Sequence, residues 1–335
     1  MPGKFDIVSV GGAVRDITFY TNKGRLFRTP ENLTAQQMVG FEYGAKIHIH
    51  EAHYTHGGGA VNTSSIAATL GLKSGIIARV GKDEDAESII RNLHENGVDT
   101  AYVQKDRSTT TGTSFIVSIN KKEKEHVVFT HRGANDFLEI TPQAKNIRTK
   151  WFYISSLCGP NWLKSLRTIC QYAKANDSKV AWNPGNIQLQ TGKNTLEKIF
   201  PMVDLLILNK DEAIELVLSG IKIGSRNPDF LNKTVYLLNM LKEWGSKSVV
   251  ITEGAKGASA LENERVIRTK AHKIQTKKIL DTTGIGDAFG ATLVSGVIRG
   301  KTMEESLRMA AINSAHVLKE VGAHKGALSM DQLEK

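Results

Sequence analysis

Apolar and polar positions follow two different rhythms along this chain. Phe5–Val10 is a short β-branched run closing on Gly11-Gly12, which predicts a strand and a tight turn. Between about 17 and 56 the pattern loosens. Ile17–Tyr20, Lys46–His50 and the stretch around Tyr54 carry strand-forming residues with polar residues between them. Such alternation predicts a small accessory sheet with one wet face, not a strand buried on both sides. Thr100–Gln104, Thr113–Ile119 and Glu125–Thr130 alternate similarly, the last two joined by the charged tip Lys121-Lys-Glu-Lys-Glu125, which reads as a hairpin. They are expected to extend the accessory layer or the edge of the main sheet.

Elsewhere the rhythm is strand, then helix. Apolar runs at Ile76–Val80, Trp151–Ser155, Lys179–Trp182, Leu205–Leu208 and Ser248–Thr252 predict strands. Between them lie helical patterns at Val61–Leu70, Glu84–Asn96, Trp162–Ala175, Lys210–Leu218 and Phe230–Trp244. This alternation predicts an α/β architecture, a parallel sheet with helices on both faces. No internal repeat, low-complexity tract or linker breaks the chain. The expectation is one main domain over 1–335, with a lid insertion at about 17–56 and a contribution from about 100–130.

Composition narrows the class. Of 335 residues, 40% are hydrophobic, enough for a sizeable core. No run approaches the roughly 20 apolar residues of a membrane span, and Met-Pro-Gly-Lys-Phe-Asp lacks the apolar stretch of a secretory signal. Two cysteines, Cys158 and Cys170, imply no disulfide framework and read as reduced thiols of a cytoplasmic protein. The formal net charge is +10, yet Lys and Arg are scattered and not clustered with aromatics. That argues against nucleic acid and for a general anion bias suited to phosphorylated ligands.

The segment with chemistry in it is Asp281-Thr-Thr-Gly-Ile-Gly-Asp287, followed by the apolar, small-residue stretch Ala288–Ile298. That stretch reads as a buried helix, so the segment forms its N-terminus, where unpaired N–H groups and a partial positive charge suit an anion. The glycines let the backbone approach a phosphate closely. A carboxylate at that mouth would repel phosphate as a ligand, but it suits a general base taking a hydroxyl proton while the amides neutralise a transferring phosphoryl group. Simple helix capping by Asp287 is the competing role.

This segment resembles the C-terminal signature Asp-Thr-x-Gly-Ala-Gly-Asp of the ribokinase-like (PfkB-type) carbohydrate kinases, with Ile285 where that family usually has a small residue. Gly11-Gly12 to Asp16 is similar to its first strand and substrate carboxylate, and Gly57-Gly58-Gly59-Ala60-Val61-Asn62 to its N-terminal glycine motif. Ala78-Arg-Val-Gly-Lys-Asp83, Arg132-Gly-Ala-Asn135, Asn209-Lys-Asp-Glu212 and Thr252-Glu-Gly-Ala-Lys-Gly257 follow in the family's order. The resemblance implies a three-layer α/β/α ribokinase-like fold with a mostly parallel central sheet and a small β-lid. It also implies ATP-dependent phosphorylation of a hydroxymethyl group, with Mg²⁺ and K⁺ as cofactors. Asp287 would be the base, with Gly284, Ile285 and Gly286 as the anion hole, and Asp16, Gly58, Gly59, Asn62 and Asn135 would bind substrate. Asn209, Thr252, Gly254, Gly257 and Asn313 would bind nucleotide, and Glu212 would hold Mg²⁺ through water. Asp281, Thr283 and the backbone near Gly322 would hold the monovalent cation, although Gly322-Ala-His-Lys-Gly326 lacks a later hydroxyl ligand.

Residue-level alternatives remain open: Asp16 as a turn residue, Asn62 as a helix cap, Glu212 as a first-turn acid. His48, His50, His53 and His56 read as a solvated or substrate-facing lid strand in preference to a metal site. The acceptor is expected to be a carbohydrate (furanose or ketose). Gly59 stands where ribokinase has Lys and Val14 where it has Asn, so a nucleoside (adenosine-like) acceptor is the alternative. A non-catalytic sugar- or nucleotide-binding regulator is a further one. A dinucleotide-dependent oxidoreductase would need G-x-G-x-x-G, which Gly11-Gly12 does not supply. An open sheet often finds a second layer, so a homodimer through the lid sheet is an arrangement the sequence leaves open.

Overall fold

The computed structural model describes residues 5–28, 37–49, 51–119, 126–223, 228–274 and 282–334. Its centre is a nine-stranded sheet. From one edge the order is β15 (Arg265–Thr269), β14 (Ala258–Glu262), β13 (Ser248–Thr252), β12 (Leu205–Asn209), β11 (Lys179–Trp182), β10 (Thr149–Ile154), β1 (Phe5–Val10), β6 (Ser74–Val80) and β7 (Asp99–Lys105). All neighbours pair in parallel except β13–β14 and β14–β15. Thr100–Gln104 therefore belongs to the main sheet's edge.

Helices cover both faces, and strand periodicity explains how. Val8, Val10, Phe152 and Ile154 point into one core with Leu166 and Ile169 of α3 (Trp162–Ala175), Leu189 of α4 (Asn186–Leu196), Leu216 of α5 (Lys210–Leu218) and Leu238 of α6 (Thr234–Glu243). Ile7, Trp151 and Tyr153 lie one residue out of step, so they face the other way. They meet Phe289 and Leu293 of α7 (Ile285–Ile298) and Leu307 of α8 (Met303–Val317). The same face carries α1 (Gly59–Thr69) and α2 (Glu84–Glu95). Residues Ala288–Gly296 of α7 are all buried, because α1, α8 and the sheet enclose the helix.

The lid is a second sheet in the order β5 (Glu51–Gly57), β2 (Val14–Tyr20), β8 (Gly112–Ser118), β9 (Val127–His131). The expected strand at Lys46–His50 does not form over 46–49, and His50 and the tip 121–125 lie outside the described residues. In its place β3 (Arg25–Arg28) and β4 (Gln37–Gly40) make a separate antiparallel pair. Strand order reverses direction between β10 and β1, and open α/β sheets bind ligands beyond the carboxyl ends of the strands flanking such a point.

Candidate active site

Beyond those strand ends α7 begins. Its N-cap is Gly284, at φ 76°. A Cβ there would lie 2.3 Å from Ala323 Cβ and 2.7 Å from the Ala323 backbone. Only glycine fits, and the 322–324 loop is seated directly against it. Asp287 is the third residue of the helix, whose N-cap glycine supplies no side-chain hydrogen bond. Its carboxylate turns instead to Asn62, whose Nδ2 donates to Asp287 Oδ2 at 2.8 Å. The capping alternative therefore gives way to a contact between two distant segments. Burial pushes the Asp287 carboxyl above its ordinary range, and the hydrogen bond from Asn62 opposes this.

Asn62 is not a cap either. Gly58 is the N-cap of α1 and Asn62 lies inside that helix, 3% exposed, its Oδ1 3.3 Å from His324 Nδ1. The glycines before it have physical reasons. A Cβ on Gly58, at φ 92°, would meet Gly12 O at 2.5 Å; one on Gly59 would meet Ser155 Cβ and Oγ at 2.4 Å. Ser155 thus forbids at position 59 the lysine of ribokinase-type motifs.

A cleft of about 360 Å³ opens between this floor and the lid. Gly58, Gly59, Asn62, Asn135, Thr283, Gly284 and Asp287 line it, as do Val14, Asp16, Ser114, Ile116, Val128 and Thr130 from the lid and Arg132, Ser156 and Cys158 at its side. Asp16 lies within β2, paired with Thr55 and Ser114, so the turn alternative fails. Its carboxylate packs against Gly57, where a Cβ would meet Asp16 Oδ2 at 2.0 Å. Asn135 uses its amide structurally: Ala13 N donates to its Oδ1 at 2.8 Å, and its Nδ2 donates to Ala13 O at 3.0 Å and Arg132 O at 2.9 Å. It forms a cleft wall that ties the β1–β2 turn. Ser114, Thr130, Ser156 and Arg132 were missed by sequence reasoning; lid register would have found Ser114 and Thr130, which are partners across β8 and β9.

Asn209 and Thr252 stand side by side at the carboxyl ends of β12 and β13. Asn209 and Glu212 form a reciprocal capping box: Glu212 N donates to Asn209 Oδ1 at 2.9 Å, and Asn209 N donates to Glu212 Oε2 at 2.8 Å. Burial pushes the Glu212 carboxyl up, the Asn209 N–H opposes this, and negative neighbours including Asp287 add to it. Gly254 (φ 54°) has open space where a side chain would stand, whereas a Cβ on Gly257 would meet Thr269 O at 2.0 Å. Lys210 lies 3.5 Å from Glu253, which also accepts from Thr234 Oγ1 at 2.7 Å; neither partner was singled out from the sequence.

Asn313 corrects an expectation. It is fully buried, donating from Nδ2 to Thr292 Oγ1 at 2.8 Å and accepting from Leu328 N at 2.7 Å. Both ends of its amide are engaged and none of it is exposed, so it pins α8 to α7 and presents no surface to an adenine. Asp281 lies outside the described residues. Thr283 and Gly322 lie on the two segments joined by the Gly284–Ala323 contact.

The histidines diverge. His53 pairs with Glu51 at 2.8 Å, and His56 Nε2 lies 2.7 Å from Arg15 Nη1 and 2.9 Å from Ser88 Oγ. Burial, then Arg15 and Lys325, push His56 down to about 4; burial, then His56 and Lys325, do the same to His324.

Fold and site together put the chain among the α/β small-molecule kinases. More narrowly, it belongs to the pfkB family of carbohydrate kinases, whose pattern matches residues 28–329. It is 29% identical to the ribokinase of Mus musculus over 291 residues, 86% of this chain and 80% of the mouse protein. The structure of Arabidopsis thaliana ribokinase complexed with ribose and ATP superposes with a TM-score of 0.79, at 20% identity, over 99% of this chain and 98% of that one. A Burkholderia thailandensis nucleoside kinase in complex with inosine gives a TM-score of 0.77 at 16% identity, over 98% of this chain and 94% of that one. The fold is ribokinase-like, and the chain is a carbohydrate or nucleoside kinase that uses ATP.

Proposed function

We propose that the chain transfers the γ-phosphoryl group of ATP to a hydroxymethyl group of a furanose or ketose, with Asp287 as general base. The observation that carries this is the Asp287 carboxylate itself: it caps nothing, lines the cleft and is held by Asn62 at 2.8 Å. With its affinity for protons raised by burial, it suits removal of a hydroxyl proton as the new P–O bond forms. The amides of Gly284 to Asp287 face the charge that builds on the phosphoryl group. Asp16 accepts hydrogen bonds from acceptor hydroxyls, Gly58 and Gly59 form part of the cleft floor at the start of α1, and the lid excludes water. Asn209, Thr252, Gly254 and Gly257 border the nucleotide, where ligands of parallel sheets collect.

Glu212 fits Mg²⁺. Its carboxylate is half-buried, carries no salt bridge among the described residues, and sits near a second acid, an arrangement suited to an ion held largely by water and phosphate oxygens. When bound, Mg²⁺ would neutralise charge on the ATP phosphates. The closeness of Thr283 and the 322–324 loop supports a K⁺ site with Asp281; equal activity in sodium, potassium and tetramethylammonium buffers would count against it.

The lid's outer face supports a homodimer. Tyr54, Ile17, Phe115 and Phe129 form a row across four strands, with Tyr54, Phe115 and Phe129 exposed by 61%, 43% and 56%. Patches of this kind mark interfaces. Sedimentation should give a dimer that Phe115→Lys converts to monomer; a monomeric parent would end this reading. We place the enzyme in the cytoplasm, where ATP is supplied.

A coupled assay of ADP release with ribose, fructose, adenosine, inosine and cytidine tests the acceptor. Turnover with a sugar supports the proposal. The apolar cleft residues Val14, Ile116 and Val128 favour the second reading, a nucleoside acceptor whose base would lie against them. No ADP with any acceptor would favour a binding regulator.

A further inference from the structure

The contacts of Asn62 define the direction of a short hydrogen-bond chain. An ionised Asp287 can only accept, so the end of the Asn62 amide facing it, 2.8 Å away, is Nδ2. Oδ1 therefore faces His324, and the contact at 3.3 Å requires the ring to donate from Nδ1. Neutral imidazole protonated at Nδ1 and imidazolium both carry that proton, so the direction of the chain is independent of titration.

We propose that His324 is a positioning residue for phosphoryl transfer: it fixes the amide of Asn62, and through it the carboxylate of Asp287. This rests on the reading of Asp287 as the base. The three groups come from α1, the start of α7 and the loop after α8, with separations of 225 and 262 residues along the chain. The helical backbone of Asn62 is fixed, but its amide can rotate about its terminal bond. Without His324, nothing described holds the far end of that amide. A flipped amide would aim Oδ1 at the carboxylate, which repels it, and Asp287 would lose its aligned donor. The same loop seats Ala323 against Gly284, the N-cap of the anion hole. One loop thus braces both halves of the site: the donor of negative-charge stabilisation through its backbone, and the base through its histidine.

The test is a mutant cycle in ATP turnover, using the acceptor selected from the five-compound panel. His324→Phe keeps an aromatic ring without the donor and should lower kcat about tenfold, the scale of one aligned hydrogen bond, with the KM for ATP within about twofold of the parent. His324→Gln returns a donor and should restore kcat to within about threefold of the parent. In an Asn62→Ala background the Phe substitution should change kcat by less than about twofold, because the chain is already cut. Should His324→Phe fold poorly by circular dichroism, His324→Leu provides the same contrast. A tenfold loss that persists in Asn62→Ala, or a glutamine variant as impaired as phenylalanine, overturns the inference while an inactive Asp287→Asn leaves the base standing. Near-normal turnover by Asp287→Asn overturns both.

Discussion

Replacing Gly286 with alanine should move stability and turnover in opposite directions. Gly286 is the second residue of α7, exposed, with no positive φ, and a methyl group built on it meets nothing within 4 Å among the described residues outside its own stretch of helix. Helical alanine is favoured over glycine by about 0.8–1 kcal/mol, so the variant should melt about 1–2 °C above the parent in a chain of this size. The open space has another use. Amides that neutralise a phosphoryl group need it close by, and a methyl there displaces it by about 1 Å, which costs on the order of 10²-fold in kcat/KM. Gly284→Ala is the contrast. At φ 76°, with Ala323 Cβ at 2.3 Å, it carries left-handed strain and a backbone collision together costing about 2–4 kcal/mol. It should lose both stability and activity. Thermal melts and a coupled ADP assay read both quantities. Parent-like kcat/KM for ATP in Gly286→Ala would refute the placing of the phosphoryl group, and a lowered melting temperature would refute the packing argument.

The acid limb of kcat/KM should lie above the ordinary aspartate value of 3.8, since burial raises the Asp287 carboxyl and the base works only when ionised; Asn62→Ala should move the limb higher still. A pH–rate profile reads both. Folding stability should carry the signature of His56. Its pKa is depressed from 6.5 to about 4, so its contribution is fully present above pH 6.5 and is lost as pH falls through that window. The loss is at most about 3 kcal/mol and less for a partly exposed ring; urea melts at pH 7 and 4.5 should show a smaller difference in His56→Gln. Asn313→Ala should cost about 1–3 kcal/mol of stability by leaving buried partners unsatisfied, with the KM for ATP within about twofold of the parent.

Where local pattern decides structure, the sequence was readable. The apolar periods of Trp162–Ala175 and Lys210–Leu218 and the β-branched run Ser248–Thr252 match α3, α5 and β13 end to end. The glycine-flanked start of α7 was legible because a buried helix after two glycines leaves its N–H groups nowhere else to go. Lys46–His50 misled because Ile47 and Ile49 alternate with polar residues, yet a strand needs a partner, and over 46–49 none is made. The α8 signal was present and unread: Thr302 and Glu305 form a capping box, Thr302 Oγ1 accepting from Glu305 N at 3.2 Å. Asn62 and Asn313 show the limit. Both are asparagines on helices, and only tertiary packing turns one toward Asp287 and locks the other between helices. His324 has no local signature, since its partner Asn62 lies 262 residues away.

Asp287→Asn is the most direct test of phosphoryl transfer through a carboxylate base. The substitution keeps the shape and removes the proton acceptor, and because burial penalises the charge, stability near neutral pH should hold or rise. ATP and acceptor binding, read by calorimetry, should stay within a few-fold of the parent while kcat falls by about 10²–10⁴-fold. A variant that binds both ligands and turns over at a near-normal rate would contradict the assignment.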